Sequence, residues 1–185
     1  RLSRTEKLGP VTFRRLMNLC GDPHAALSSL PELAARGGRS RAFKAVSEQA
    51  AKREYETTLK LGGTFLVLGT AAYPKLLAQT PDAPPVMSCY GHAHLLTKPA
   101  LAMVGARNAS AAGQRIAGKL AKEIGARGLI LVSSLARGID RAAHQSALEA
   151  GTIAVFANGI DHFYPRENAE LQKAICEQGL ILCEN

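Results

Sequence analysis

The chain has 185 residues, 46% hydrophobic and 21% charged, the make-up of a folded globular protein of one sizeable domain or two small ones, which excludes a disordered polypeptide. No run approaches the roughly 18 apolar residues of a membrane span, and R-L-S-R-T-E-K leads into no apolar signal-peptide core, so a cytoplasmic protein without membrane contact is expected. The net charge of +8 favours a polyanionic partner, and residues 1–62 carry most of it, with 12 Lys+Arg against 6 Asp+Glu, compared with 11 against 9 in residues 63–185.

Residues 1–62 read as a small all-helical domain. Leu16, Leu19 and Cys20 share one helical face, and Ala25 to Leu30 follow Asp22-Pro23. Pro31 to Ala35 precede Gly37-Gly38, and a longer helix from about Ser40 to Leu61 carries Phe43, Val46, Ala50 and Tyr55. Leu8, Val11, Phe13, Leu16 and Leu19 supply a small core, while Gly9-Pro10-Val11 followed by Arg14 and Arg15 suits a phosphate-facing hairpin equally well. Gly62-Gly63 ends this module, and Thr64 to Leu68 reads as a strand. Pro74, Pro81, Pro84, Pro85 and Pro99 then restrict the chain to a connector with a turn of helix near Lys75 to Ala78 and a short strand at Val86 to Tyr90.

From Leu101 onward the pattern becomes periodic. Strands are predicted at Leu101–Val104, Leu129–Ser133, Thr152–Ala157 and Leu180–Cys183, alternating with helices at Ala111–Arg127, Asp140–Ala150 and Asn168–Gln178. Short apolar strands alternating with helices define a Rossmann-like α/β domain over 63–185, built on a doubly wound parallel sheet. Ile116, Leu120 and Ile124 form an apolar stripe for the first helix, and Gly128, Gly151 and Gly179 stand where helix C-caps belong. The apolar Leu180–Cys183 strand, read as an edge, is expected to pair with something further, so the domain is taken as incomplete at its C-terminal end.

Ligands of such sheets gather at the carboxyl ends of the strands. Three loops belong to that rim: Gly105 to Ser110, Ser134 to Asp140 and Asn158 to Asn168. In the first, Gly105 permits close backbone approach, Ser110 caps the following helix, and Arg107 adds a fixed charge beside unpaired first-turn N–H groups, which together make an anion seat. The other loops add Arg137, Gly138, Arg166 and Asn168, with aromatic Phe163 and Tyr164. Arginines with aromatics suit a single-stranded nucleic acid, and a mononucleotide fits the same rim.

V-G-A-R-N-A-S-A-A-G, S-S-L-A-R-G-I-D-R-A-A-H and G-T-I-A-V-F-A-N-G-I-D-H-F-Y-P-R-E-N, in this order and spacing, closely resemble the DNA-processing protein A family, also called DprA or Smf. The resemblance covers roughly residues 64–185, and L-S-R-T-E-K-L-G-P-V-T-F-R-R-L looks like the SAM-like or helix-hairpin-helix-like module that many members carry. It implies an extended Rossmann-like domain that binds single-stranded DNA, forms a homodimer and helps load a RecA-type recombinase in natural transformation, without enzymatic activity or a cofactor. By motif, Gly105, Arg107 and Ser110 fall in the phosphate-binding turn, Arg137 and Gly138 in the second loop, and Arg166 after Tyr164-Pro165 in the third, with Asn168 at the following helix start. Ser134 stands where the family usually has glycine, so a positive φ there would strain the loop.

Other readings of the same residues stay open. Arg137 also suits an ion pair, for instance with Asp140, and Asp140 and Asn168 suit helix N-caps. Asp140, His144 and Ser133 or Ser134 offer the groups of a hydrolase triad, but no G-x-S-x-G elbow surrounds either serine, and His144 reads as a packing residue. The enzymatic alternative for the whole domain is a nucleotide phosphoribohydrolase of the lysine-decarboxylase-like (LOG) class, whose P-G-G-x-G-T motif does not occur in residues 1–185; a nucleotide-sensing domain is the third. Cys20, Cys89, Cys176 and Cys183 form no C-x-x-C pair and read as free thiols. His92 and His94 have no further metal ligand nearby in sequence.

Overall fold

A computed structural model of the chain describes residues 1–36, 43–161 and 165–184. It forms two compact units, one of Arg1–Leu61 with Leu66–Val86 and one of Gly62–Phe65 with Met87–Asn185. The proline-rich stretch, expected as a connector, thus groups largely with the helical residues. No helix among the described residues is long and apolar enough to cross a membrane.

In the first unit, α1 (Pro10–Cys20) starts with proline in its first turn and stops at Gly21, whose φ of +72° lets its N–H turn back to the Met17 carbonyl. Helix α2 (Pro23–Arg36) is capped by Asp22, which accepts from the backbone N–H of Ala25 at 2.8 Å and of His24 at 3.1 Å. It runs unbroken through Pro31, where two shorter pieces are expected from the sequence. Helix α3 (Glu48–Lys60) begins later than its periodicity suggests: Ser47 accepts from Ala50 N–H as N-cap, and Phe43 and Ala45 lie outside the helix. Gly37-Gly38 and the expected helix start at Ser40 lie outside the described residues.

Leu2, Leu8, Leu16, Ala26 and Leu30 form the small core, with Phe13, Met17 and Phe43 packed on it. Val11 and Leu19, expected inside, face outward at 61% and 68% exposure. Arg14 is committed to structure, since its Nη2 donates to the carbonyls of Ala78 and Thr80 at 3.3 and 3.1 Å. Those carbonyls lie at the end of α4 (Lys75–Ala78) and just beyond it.

The sheet holds six strands in the order β1-β2-β6-β5-β4-β3, namely β1 (Thr64–Val67), β2 (Val86–Gly91), β3 (Ala100–Ala102), β4 (Ile130–Ser133), β5 (Thr152–Phe156) and β6 (Leu180–Cys183). Strands β3 to β6 are mutually parallel and lie in sequence order, whereas β2 runs antiparallel to β6 with Tyr90 opposite Ile181. The α/β sheet is therefore mixed, and within these residues its parallel strands advance in one direction without the reversal of a doubly wound sheet. Strand β6 is not an edge: β2 and β5 flank it and all four of its residues are buried, which explains its apolar run. The parallel part of the sheet ends instead at β3, whose residues are exposed.

Helices α5 (Ala111–Ala126), α6 (Ile139–Ala147) and α7 (Ala169–Gln178) connect the parallel strands. Small residues set the α5–α6 distance, for a Cβ on Gly118 would come within 2.7 Å of Ser146 Oγ. The buried face of α5 carries Ala117 and Ala121, and Ile124 packs beside them on Leu131, Ala143 and Ala147. Ile116 and Leu120, predicted to share the buried stripe, are instead 62% and 48% exposed. Gly128 and Gly151 end their helical segments at positive φ, while Gly179 does so without it.

His144 of α6 is fully buried. Thr152 donates its hydroxyl proton to the Leu131 carbonyl, so its oxygen accepts from His144 Nδ1 at 2.8 Å and fixes the neutral tautomer. Burial holds the imidazole pKa down to about 4 from 6.5, outweighing the Asp140 carboxylate, which favours the charged ring. The unfolded chain consequently takes up a proton near pH 6.5 that the folded protein refuses until about pH 4, and stability falls as pH drops through that window. Replacement of His144 by Gln should flatten the fall in urea-unfolding free energy between about pH 7 and pH 5 by about 2 kcal/mol relative to the parent. Equal slopes in the two proteins would refute a neutral buried ring.

Candidate anion-binding cleft

The three loops at the carboxyl ends of the parallel strands share a cleft of about 460 Å³. The first loop contributes Arg107 and Asn108, the second Ser134 to Arg137, the end of β5 Val155 to Asn158, and the third loop Pro165. Backbone packing brings the first two together. Gly138 has a φ of +75°, and a Cβ on it would run into the carbonyl oxygens of Ala106 and Arg107. Ile139 N–H donates across to Ala106 O at 3.3 Å, and a Cβ on Gly105 would lie 2.6 Å from Ile139 Cγ1. Gly105 is thus required for the close approach of Ile139, and Gly138 for both approach and backbone conformation.

The second loop is braced from beneath. Ser134 donates its hydroxyl to Asp140 Oδ2 at 2.5 Å, and Ala136 N–H reaches the same oxygen at 3.4 Å. Asn168 Nδ2 donates to the carbonyl of Leu135 at 2.8 Å and to that of Ala136 at 3.4 Å. Positive φ falls not on Ser134 but on the next residue, Leu135, at +64° with its side chain buried. A left-handed conformation costs a leucine about 1–2 kcal/mol, and the bonds on either side of it hold the loop in that shape.

The site residues proposed from sequence take different places. Arg107 and Arg137 both line the cleft and are exposed, so the first two loops each place an arginine at one trough. Arg166 is exposed at the start of a 3₁₀ turn (Arg166–Asn168) next to Pro165, yet does not itself line the cleft. Ser110 caps α5, accepting from Gly113 N–H at 3.1 Å. Asn168 stands at the N-cap position of α7 but needs correction on two counts: it is buried, out of a ligand's reach, and its Oδ1 accepts no N-cap bond, while its Nδ2 donates to the second loop. Asp140 is likewise no N-cap; Gly138 holds that position, and Asp140 sits buried in the first turn of α6. Arg137 pairs with Glu167, Nε to Oε1 at 3.0 Å, rather than with Asp140.

No triad forms, since Ser134 bonds directly to Asp140 while His144 faces Thr152. Phe163 and Tyr164 lie outside the described residues. Sequence reasoning missed Glu167 and Asn108; the first is legible only as an acidic residue beside Arg166, and the second carries no distinguishing signal. The four cysteines are free. Burial pushes Cys176 and Cys183 up to about 11 and about 12, so both are unreactive thiols.

A Rossmann-like sheet with a glycine-shaped, arginine-lined cleft at its strand ends, preceded by a small helical module, defines a class of α/β domains whose ligand sites gather at that rim. The family model described as DNA recombination-mediator protein A matches residues 64–185, and the DprA-like N-terminal HHH domain matches residues 1–57. The chain belongs to the DNA recombination-mediator protein A (DprA/Smf) family. It is 36% identical over 127 residues to the DNA processing protein DprA of Bacillus subtilis, covering 67% of this chain and 43% of that one. The X-ray structure of DNA processing protein A from Streptococcus pneumoniae superimposes with a TM-score of 0.69 at 29% identity, over 90% of this chain and 53% of that one. DNA processing protein A from Helicobacter pylori, solved for its single-stranded DNA binding mode, gives 0.60 at 30% identity, over 66% and 56%. The chain thus spans less than half the length of the Bacillus relative and just over half of the two solved chains.

If Asn168 braces the second loop, Asn168→Ala leaves the Leu135 and Ala136 carbonyls without that donor. The expected cost is about 1–3 kcal/mol in urea unfolding. A change within about 0.5 kcal/mol, the usual range of a neutral surface substitution, would show the brace to be idle.

Proposed function

We propose that the cleft binds single-stranded DNA and that the protein is a recombination mediator that protects incoming DNA and helps load a RecA-type recombinase during natural transformation, acting in the cytoplasm as a homodimer. The observation that carries the reading is the convergence of Arg107 and Arg137 on one cleft beside the Ser110-capped start of α5, in a chain of this family. The DNA-binding part draws support from the Helicobacter relative. Recombinase loading and dimer formation follow from the family resemblance.

In this reading Arg107 and Arg137 pair phosphates, Arg166 extends the charged rim, and the Gly105 turn with the first amides of α5 adds neutral donors. Gly138 and Asn168 shape the loops without touching DNA. The half-buried Val155 and Phe156 in the cleft wall give an unpaired base an apolar surface on which to rest. The reading calls for binding alone, and the Ser134 hydroxyl bonded to Asp140 and the buried His144 are in keeping with it.

The Arg107→Ala/Arg166→Ala double variant should bind thymidine, cytidine and adenosine oligonucleotides roughly tenfold or more weakly, by a similar factor for each. Its log-affinity against log-salt slope should be shallower by about 1.4, two phosphates at about 0.7 each on single strands. Fluorescence polarisation at two salt concentrations reads both quantities. Unchanged affinity would overturn the proposal, and release of free base from AMP would support the phosphoribohydrolase instead.

A further inference from the structure

Arg137 is the cleft arginine with an acidic partner. Its Nε lies 3.0 Å from Glu167 Oε1, and the two side chains are 57% and 45% exposed. Among the described residues no carboxylate pairs with Arg107 or Arg166. Glu167 belongs to the same short turn as Arg166 and Asn168, and Asn168 is bonded to the backbone of the loop that carries Arg137. The carboxylate is therefore held close to Arg137 by the fold and is not a stray surface charge.

An exposed pair of this kind is weak, because water and salt screen it and two long side chains must be ordered to keep it. A phosphodiester offers the same guanidinium two oxygens in the bidentate geometry it favours. A phosphate on the same guanidinium brings its negative charge next to that of Glu167, and the repulsion weakens the Glu167 contact. We infer that Glu167 is a specificity-determining residue of the cleft, which holds Arg137 while the cleft is free and yields it to a phosphate-bearing ligand. Glu167 thereby sets how much positive charge the cleft shows, disfavouring weak anions that cannot outcompete it. This inference rests on the cleft being the anion site proposed above.

Four proteins decide it: the parent, Glu167→Gln, Arg137→Ala and the double variant, each titrated with an oligothymidylate by fluorescence polarisation at two salt concentrations. Glu167→Gln should bind about two- to fivefold tighter at low salt, with a salt slope steeper by up to about 0.7. In the Arg137→Ala background the same change should make no difference. Equal or weaker binding by Glu167→Gln would overturn the handover, and so would a gain that persists without Arg137, which would be a general charge effect. A parent protein that ignores the oligonucleotide would sink the DNA reading separately. Inorganic phosphate, followed through the Arg137 Nε–H resonance, still decides the handover in that case: the resonance should move toward its position in Glu167→Gln, and a resonance that stays put overturns it.

Discussion

The cleft depends on one backbone contact, the second loop lying directly against the first. Side chains on both would hold two such loops several ångströms further apart. Here Gly138 abuts the Ala106 and Arg107 carbonyls, and Gly105 makes room for Ile139. The Ile139 N–H to Ala106 O bond then closes the junction. Because Arg107 follows Ala106 and Arg137 precedes Gly138, the same contact fixes the spacing of the two arginines. Their convergence is a consequence of glycine placement more than of attraction between the loops, since two guanidinium groups repel.

The third loop enters through its C-terminal end. Asn168 and Glu167 are neighbours in a single short turn, and one reaches the backbone of the second loop while the other reaches its arginine. Buried and exposed groups thus divide the work. Asp140 and Asn168, inaccessible to solvent, hold the backbone shape, including the left-handed Leu135. Arg107, Arg137 and Glu167, on the surface, carry the charge. Each of the two buried residues also has one oxygen without a hydrogen-bond partner among the described residues, a cost consistent with a loop kept in a shape it would not choose alone.

How much of this could be read from the sequence follows from what each signal measures. Strand and helix order from Leu101 onward was legible because apolar runs and glycine caps are local signals, and the serine-capped start of α5 because Ser110 directly precedes its apolar helix pattern. Partner choice was not. Asn168 looks like a cap because position favours that role, and only tertiary packing shows its amide spent on Leu135 O. The stripe of Ile116 and Leu120 has the right period, yet close packing against α6 places glycine and alanine inward, leaving the larger residues outside. Strand β6 was taken for an edge because its antiparallel neighbour β2 lies some ninety residues earlier in the chain, beyond any local pattern.

Exposure also bears on the choice between a polymer and a small molecule. An enzyme acting on a mononucleotide gains by enclosing its substrate, since excluding water strengthens each electrostatic contact and places acid and base groups at the reacting bond. The titratable groups nearest this cleft are arranged the other way. His144 is buried and neutral, Asp140 is engaged by a hydroxyl and an amide, and the accessible charged groups are Arg107 and Arg137, the latter paired with Glu167. On the DNA-binding proposal such a surface pairs phosphates by charge. Affinity then comes from repeating the contact along a chain of phosphates, each contributing counterion release, which favours a long flexible polyanion over a single nucleotide.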